Sequence, residues 1–303
     1  MEKRAKLFMI TAMTAFGTLG VFVRLIPLAS SVIALARAIL ASLLLGGVLL
    51  FKKTRPSLGA SPRNIILLAV SGAAIGFNWI LLFEAYRYTS VAAATLCYYF
   101  APVLVTVLCP LIFREKISPL GIVCFVTASI GTVLMTVGAD VTDGSHHLLG
   151  AILALGAAVL YASVILMNKS LVGIGNTERT LMQFVCSAAV VLPYVLLRGE
   201  ITTLDIGAVG WIALITIGIF HTGVAYLMYF GAVGSLSGAE VAIYSYIDPL
   251  VAVVLSVTVL GESLSVMQII GGIAVLVSTL ACELVPIILA RRAKSRSEDG
   301  QNS

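Results

Sequence analysis

Hydrophobic residues fill this chain in runs of about twenty, and polar or turn-forming residues gather between the runs. A helix rises about 1.5 Å per residue, so some 20 apolar residues cross the roughly 30 Å hydrocarbon core of a bilayer. Read against charges and turn signals, the runs predict ten membrane-spanning helices near residues 6–26, 31–51, 64–86, 91–113, 118–138, 148–168, 178–197, 207–230, 238–260 and 266–290. The breaks between them are short. They fall at Pro27 with Ser30 and Ser31, Lys52 to Pro62, Ser118-Pro119, Asp140 to His147, Gly173 to Thr177, and Gly199 to Asp205. In lipid every backbone N–H and C=O must find its partner within the chain, so this pattern permits an all-α membrane protein of ten packed helices.

Composition agrees. The chain has 303 residues, 60% hydrophobic and 11% charged, with a mean hydropathy of +1.08, whereas a soluble domain carries roughly 25% charge. The ten runs leave no room for a soluble domain. The excess of 19 Lys and Arg over 14 Asp and Glu is informative through its placement. Fifteen of the cations fall on one side of the ten-span map: Lys3, Arg4, Lys6, Lys52, Lys53, Arg55, Arg63, Arg114, Lys116, Lys169, Arg179, Arg291, Arg292, Lys294 and Arg296. Arg24, Arg87 and Arg198 fall opposite, and Arg37 lies inside a span. The positive-inside rule then predicts that both termini are cytoplasmic. Leu7 to Val23 is too long for a signal-peptide core and is followed by no A-x-A-like site, so it is taken as the first span. The five cysteines lie in apolar stretches without a CxxC and read as packing residues.

The chain also repeats itself. At an offset of 147 residues Tyr99 falls on Tyr246, Pro102 on Pro249, Glu115 on Glu262, Ser118 on Ser265 and Gly76 on Gly223. Earlier in each half an offset of 145 or 146 aligns Phe16 with Tyr161 and Arg37 with Gln183. The repeat holds five spans, an odd number, so its two copies insert in opposite orientations, the building plan of many secondary transporters. This divides the chain into repeats at 1–146 and 147–290 and a basic-then-polar tail at 291–303.

Each half resembles an EamA domain of the drug/metabolite transporter superfamily. The first half carries the likeness in Glu84-Ala85-Tyr86-Arg87-Tyr88-Thr89-Ser90-Val91-Ala92, Ala101-Pro102-Val103 and Arg114-Glu115-Lys116-Ile117-Ser118. In the second half it lies in Gly231-Ala232-Val233-Gly234-Ser235, Ile247-Asp248-Pro249-Leu250 and Leu260-Gly261-Glu262-Ser263-Leu264. The resemblance covers the chain to about residue 290 and implies a ten-helix fold in a bacterial cytoplasmic membrane. It also implies transport of a small metabolite, often export of an amino acid or related compound. Nucleosides, sugars and organic cations are the other cargo classes, and a non-transporting scaffold or sensor and a passive channel are the competing readings. The halves differ at one motif position, where Ala101 precedes the first proline and Asp248 the second.

Chemistry-bearing residues inside the spans are few. An ionisable group in hydrocarbon is costly unless paired or hydrated, so the deepest mark a cavity or a buried pair. Arg37 lies about two turns into span 2, and Asp248 near the middle of span 9. Facing one cavity, they would hold the carboxylate and ammonium of a zwitterion; facing each other, they would form a structural ion pair. Gln183, the counterpart of Arg37, is a further cavity candidate. Asn78 and His221 fall on the same face of equivalent helices, and either lines the path or makes an interhelical hydrogen bond. His221 and Asp248 are the candidates to carry a coupled proton, the alternative drive being an exchanged solute. Trp79, Tyr98, Tyr99, Tyr244 and Tyr246 lie deeper than an interfacial belt, and either line the cavity and stack on a flat cargo or serve packing and lipid contact. Glu84 and Arg87, three apart, form a local pair or gate element. Glu115 and Glu262 read as caps of helix connections. His146-His147 reads as a loop rather than a metal site. No GxxxxGK[ST], HExxH or GxSxG is present, so a P-loop ATPase is excluded and an enzyme disfavoured. No metal, cofactor or nucleic acid is expected; the partners are the bilayer and a small-molecule cargo.

Overall fold

The structure is a computed structural model that describes residues 2–51, 61–114, 118–138, 146–171, 173–201 and 205–301, with side chains described as far as Ala290. Lys52, Lys53, Arg55, Glu115 and Lys116 lie outside the described residues, as do the side chains of the tail cations. Among the described residues every element is helical. Ten helices are long and apolar enough to cross a membrane. They are α1 Glu2–Arg24, α2 Ser30–Phe51, α3 Pro62–Tyr88, α4 Val91–Phe113, α5 Pro119–Val137, α6 His147–Ser170, α7 Asn176–Arg198, α8 Gly207–Val233, α9 Ala239–Thr258 and α10 Val266–Ala290. The backbone of α10 continues helically to Gln301.

Helix starts follow local chemistry. Ser90 accepts a hydrogen bond from the Ala93 amide ahead of α4, and Ser118 from the Gly121 amide ahead of α5, with Pro119 in the first turn where no amide partner is needed. Ser237 and Glu240 form a reciprocal capping box at the start of α9.

Three spans are irregular. α4 is broken at Tyr99 and Phe100 into Val91–Tyr98 and Ala101–Phe113, and α9 breaks at Tyr246 before Ile247–Thr258. Each break precedes one of the repeated prolines, whose missing amide frees a carbonyl one turn earlier. α8 widens to π-helical turns over Thr216–Val224, a distortion common where helices serve a site.

The two repeats are entwined rather than side by side. α1 packs on α8 and α9 of the second repeat, and α6 packs on α3 and α4 of the first. Equivalent helices also meet across the approximate two-fold axis: α2 with α7, α4 with α9, and α5 with α10. Small residues permit these approaches. Ala12, Ala34, Ala38, Ala41, Ala154, Ala157 and Ala158 are fully buried. A Cβ on Gly17 would lie 2.5 Å from the Asp248 carbonyl oxygen, so α1 reaches the middle of α9 only through a glycine. Large apolar side chains such as Leu43, Leu50, Val133, Leu197 and Ile212 point outward, as a lipid-facing surface requires.

Candidate functional site

A cavity of about 650 Å³ lies between the repeats. α1, α3, α4, α6, α8, α9 and α10 all contribute to its wall, along with Arg37 of α2. At the end of the bundle bearing the termini its lining reaches Tyr229, Val241 and Ile287, each within about one turn of a helix end. Toward the opposite end Tyr86 bounds it. The same tyrosine also lines a second hollow of about 500 Å³ with Val23, Arg24, Pro27, Ser30, Phe83 and Arg87. A buried ring is therefore the partition between the two spaces. The Tyr86 hydroxyl is 3.3 Å from Thr95 Oγ1, and the ring stacks on Phe83 at 6.4 Å.

The cation of the cavity is Arg37. Its side chain is 3% exposed, its Nε donates to Thr222 Oγ1 at 2.6 Å, and its guanidinium lies 4.2 Å from the Trp79 ring centroid. The widened turn of α8 presents Thr222, whose hydroxyl in turn donates to the Ile217 carbonyl five residues back. Among the described residues no carboxylate lies within 4.0 Å of Arg37. Asp248 lines the same cavity, and its Oδ2 accepts from the Tyr99 hydroxyl at 2.8 Å. Of the two arrangements the sequence allows, the structure therefore adopts the one in which Arg37 and Asp248 share a cavity without bonding to each other.

Aromatic residues make much of the remaining wall, among aliphatic and small ones. Trp79, Tyr98, Tyr99 and Tyr246, expected from the sequence, all line it. Tyr99 and Tyr246, equivalent in the repeat, face each other at 6.3 Å on the approximate axis. Phe16 and Tyr161, also equivalent, line it as well, with Tyr161 at 5.4 Å from Tyr98.

Four expected cavity residues lie elsewhere, each for a physical reason. Asn78 is buried and its Nδ2 donates to the Ala157 carbonyl at 2.6 Å, tying α3 to α6. Gln183 donates from Nε2 to Ser71 Oγ at 2.7 Å and to Asn168 Oδ1 at 2.8 Å, tying α7 to α3 and α6. His221 is 1% exposed between Thr18 Oγ1 at 2.7 Å and the Thr216 carbonyl at 3.2 Å. The π-helical turns place Thr222 rather than His221 beside Arg37, a shift that a regular 3.6-residue period cannot anticipate. Tyr244 packs in the apolar cluster of Ala5, Met9, Met13 and Ala232. The Glu84–Arg87 pair forms at 3.4 Å, but Glu84 also accepts from Ser30 Oγ at 2.7 Å, so it links α2 and α3 of one repeat rather than the two repeats.

A charged contact that does span the repeats at that end is made by Glu262, in the connection from α9 to α10, beside the Ser31–Glu200 and Thr89–His147 hydrogen bonds. Its Oε1 pairs with Arg24 at 2.9 Å, and its Oε2 accepts from the Val91 amide at 2.8 Å and from Ser256 Oγ. Arg24 also donates to the Thr89 carbonyl at 3.0 Å. A carboxylate at the positive first turn of α4 thus joins α1, the α3–α4 corner and the α9–α10 corner.

Three functional candidates escaped the sequence reading. Glu283 on α10 lines the cavity, as do Tyr226 and Tyr229 on α8. Glu283 was visible by the rule that picked out Asp248, an acid within an apolar span. The α8 tyrosines follow no pattern distinct from lipid-facing aromatics.

Ten apolar helices in two entwined repeats, enclosing a cavity lined with opposite charges and aromatic rings, define an integral membrane transporter. The profile of the EamA-like transporter family matches residues 3–137 and again residues 148–282. The chain belongs to that family. It is similar to the uncharacterized transporter YxxF of Bacillus subtilis (strain 168), 29% identical over 281 residues that cover 90% of this chain and 89% of the relative. It is also similar to an uncharacterized transporter of Clostridium kluyveri, 27% identical with 70% of each chain covered, and to one of Vibrio cholerae, 25% identical with 86% of this chain and 85% of the relative covered. A crystal structure with a TM-score of 0.65 and 18% identity, covering 94% of this chain and 98% of its own, has the same fold.

Proposed function

We propose that this protein is a secondary exporter that moves a small zwitterionic metabolite of the amino-acid class by alternating access. The observation that carries the reading is one cavity that holds Arg37 and Asp248 apart from each other. A guanidinium without a carboxylate partner suits the cargo carboxylate, and a carboxylate bonded by a single tyrosine hydroxyl suits its ammonium group. Aromatic walls accommodate the apolar part of the cargo. The basic end of the bundle is cytoplasmic under the positive-inside rule, so the cavity in this conformation loads from the cytoplasm. Tyr86 and the Glu262 contact close the opposite side. Transport to that side requires the two to part and the mouth to close, a movement that the broken helices α4 and α9 are built to absorb. The absence of a P-loop leaves an ion gradient, exchange or the cargo gradient as the drive.

Counterflow in proteoliposomes tests this. Purified protein is expected to exchange labelled for unlabelled amino acid, and Asp248→Asn is expected to lower that flux about tenfold or more, equivalent to about 1.4 kcal/mol of lost stabilisation. Full flux in Asp248→Asn, or exchange of nucleosides or sugars in place of amino acids, would overturn the reading.

A further inference from the structure

The cavity contains one more acid than a simple zwitterion requires. Glu283 projects from an apolar span into it, is half-buried, and makes no hydrogen bond or ion pair among the described residues. An unpaired carboxyl group at such a depth marks a hydrated path or a ligand. Tyr246 lines the same cavity, with its hydroxyl buried against the protein rather than open to an occupant.

The position of Glu283 along the path follows from its own helix. One turn earlier on α10, Thr279 donates to the Tyr99 carbonyl at 3.3 Å, and the Tyr99 hydroxyl holds Asp248 at 2.8 Å. Glu283 therefore stands roughly 6 Å beyond the layer of Tyr99, by the rise of four helical residues. It lies on the side of the cavity mouth, where Ile287 lines the next turn. The ionisable side chains of acid or guanidinium type in the lining are Arg37, Asp248 and Glu283. With a cargo carboxylate at Arg37 and its α-ammonium at Asp248, the remaining carboxyl group is Glu283, on the mouth side, where the stem of a long cationic side chain would extend.

We infer that Glu283 is a specificity-determining residue that selects cargo bearing a second cationic group. The cargo class is then a basic amino acid of the lysine or ornithine type. The inference rests on the zwitterion reading of Arg37 and Asp248 and narrows it. Selectivity arises in two ways: the cationic side chain gains a charge-assisted bond, and a neutral side chain leaves the carboxylate desolvated and unpaired.

The test is counterflow of labelled lysine and labelled leucine through the reconstituted full chain, at equal concentrations and without a membrane potential. Wild-type protein is expected to exchange lysine about tenfold faster than leucine, and Glu283→Gln to lower the lysine-to-leucine ratio about fivefold or more. Glu283→Asp, which keeps the charge, is expected to recover most of that ratio. In detergent, lysine is expected to raise the wild-type melting temperature more than leucine does, and Glu283→Gln to erase the difference; this reports on binding in a variant that still folds. An unchanged ratio in a folded Glu283→Gln overturns the inference. Exchange of leucine but not lysine by the wild type overturns it while leaving the zwitterion reading in place, and exchange of neither overturns both.

Discussion

Arg37 and Gln183 occupy equivalent positions in the two repeats, yet one faces the cavity and the other serves only the packing. Arg37 on α2 meets the widened turn of α8 and bonds Thr222 beside Trp79. Gln183 on α7 meets α3 and α6, where Ser71 and Asn168 absorb its amide. The residue equivalent to Thr222 at the 147-residue offset is Ile75, and α3 has no widened turn to present it. A similar divergence separates Ala101 from Asp248: both line the cavity, but only one carries charge. Duplication thus accounts for a nearly symmetric scaffold, while the side chains make the cavity polar along its length, with the cation from the first repeat and the acids from the second. Under the proposed reading, that polarity would let a symmetric fold hold an asymmetric cargo in one orientation.

The sharpest way to break this comparison is to remove each member of the pair. Arg37→Gln, which gives the first repeat the residue of the second, is expected to lower counterflow about 100-fold, equivalent to about 2.7 kcal/mol, while the protein still reaches the membrane. Gln183→Ala is expected to leave counterflow within about threefold of wild type but to lower stability by about 1–3 kcal/mol, because Ser71 and Asn168 lose a buried partner. Equal loss of flux in both variants would show that the two positions have not diverged in function.

The ends of the bundle provide a second contrast. Glu262→Gln keeps the shape of the seal but removes its charge from Arg24 and from the first turn of α4, a loss of about 1.5–3 kcal/mol for charge-assisted bonds. The expected outcome is about tenfold faster reaction of a cysteine placed at Thr95 with an impermeant maleimide added on the side opposite the termini, in a background lacking the native cysteines. Unchanged labelling would mean that the Glu262 contact is not what holds that side shut.

A smaller effect is expected at Gly17, where α1 of the first repeat meets α9 of the second. Gly17→Ala places a methyl group 2.5 Å from the Asp248 carbonyl oxygen. Overpacking of this kind costs about 1–3 kcal/mol, so thermal melting in detergent is expected at a lower temperature. Gly46→Ala, whose added Cβ meets nothing within 4 Å, is the control and is expected to melt as wild type does.

Much of this architecture was legible in the sequence because lipid imposes one requirement on every residue of a span. Continuous apolar runs identify helices, and the run lengths identify spans. Arg37 and Asp248 stood out because few charges occur within the spans. Gln183 and His221 were misplaced in the cavity because a polar residue in a span meets its needs either from a cargo or from a neighbouring helix, and periodicity does not distinguish these. Glu283 shows the reverse: the rule applied to it, but its position near the end of a long span made it resemble a boundary residue.

What the sequence determined by itself was the class of the protein: ten spans, a repeat of odd helix number and a motif in each half, all set by short-range chemistry. Only the tertiary structure decided which polar residues share the cavity. That choice depends on how α1 and α6 cross between repeats and on the widened turns of α8, which rotate Thr222 toward Arg37 and turn His221 toward Thr18. Contacts between helices distant in sequence set those rotations, and no local pattern along the chain encodes them.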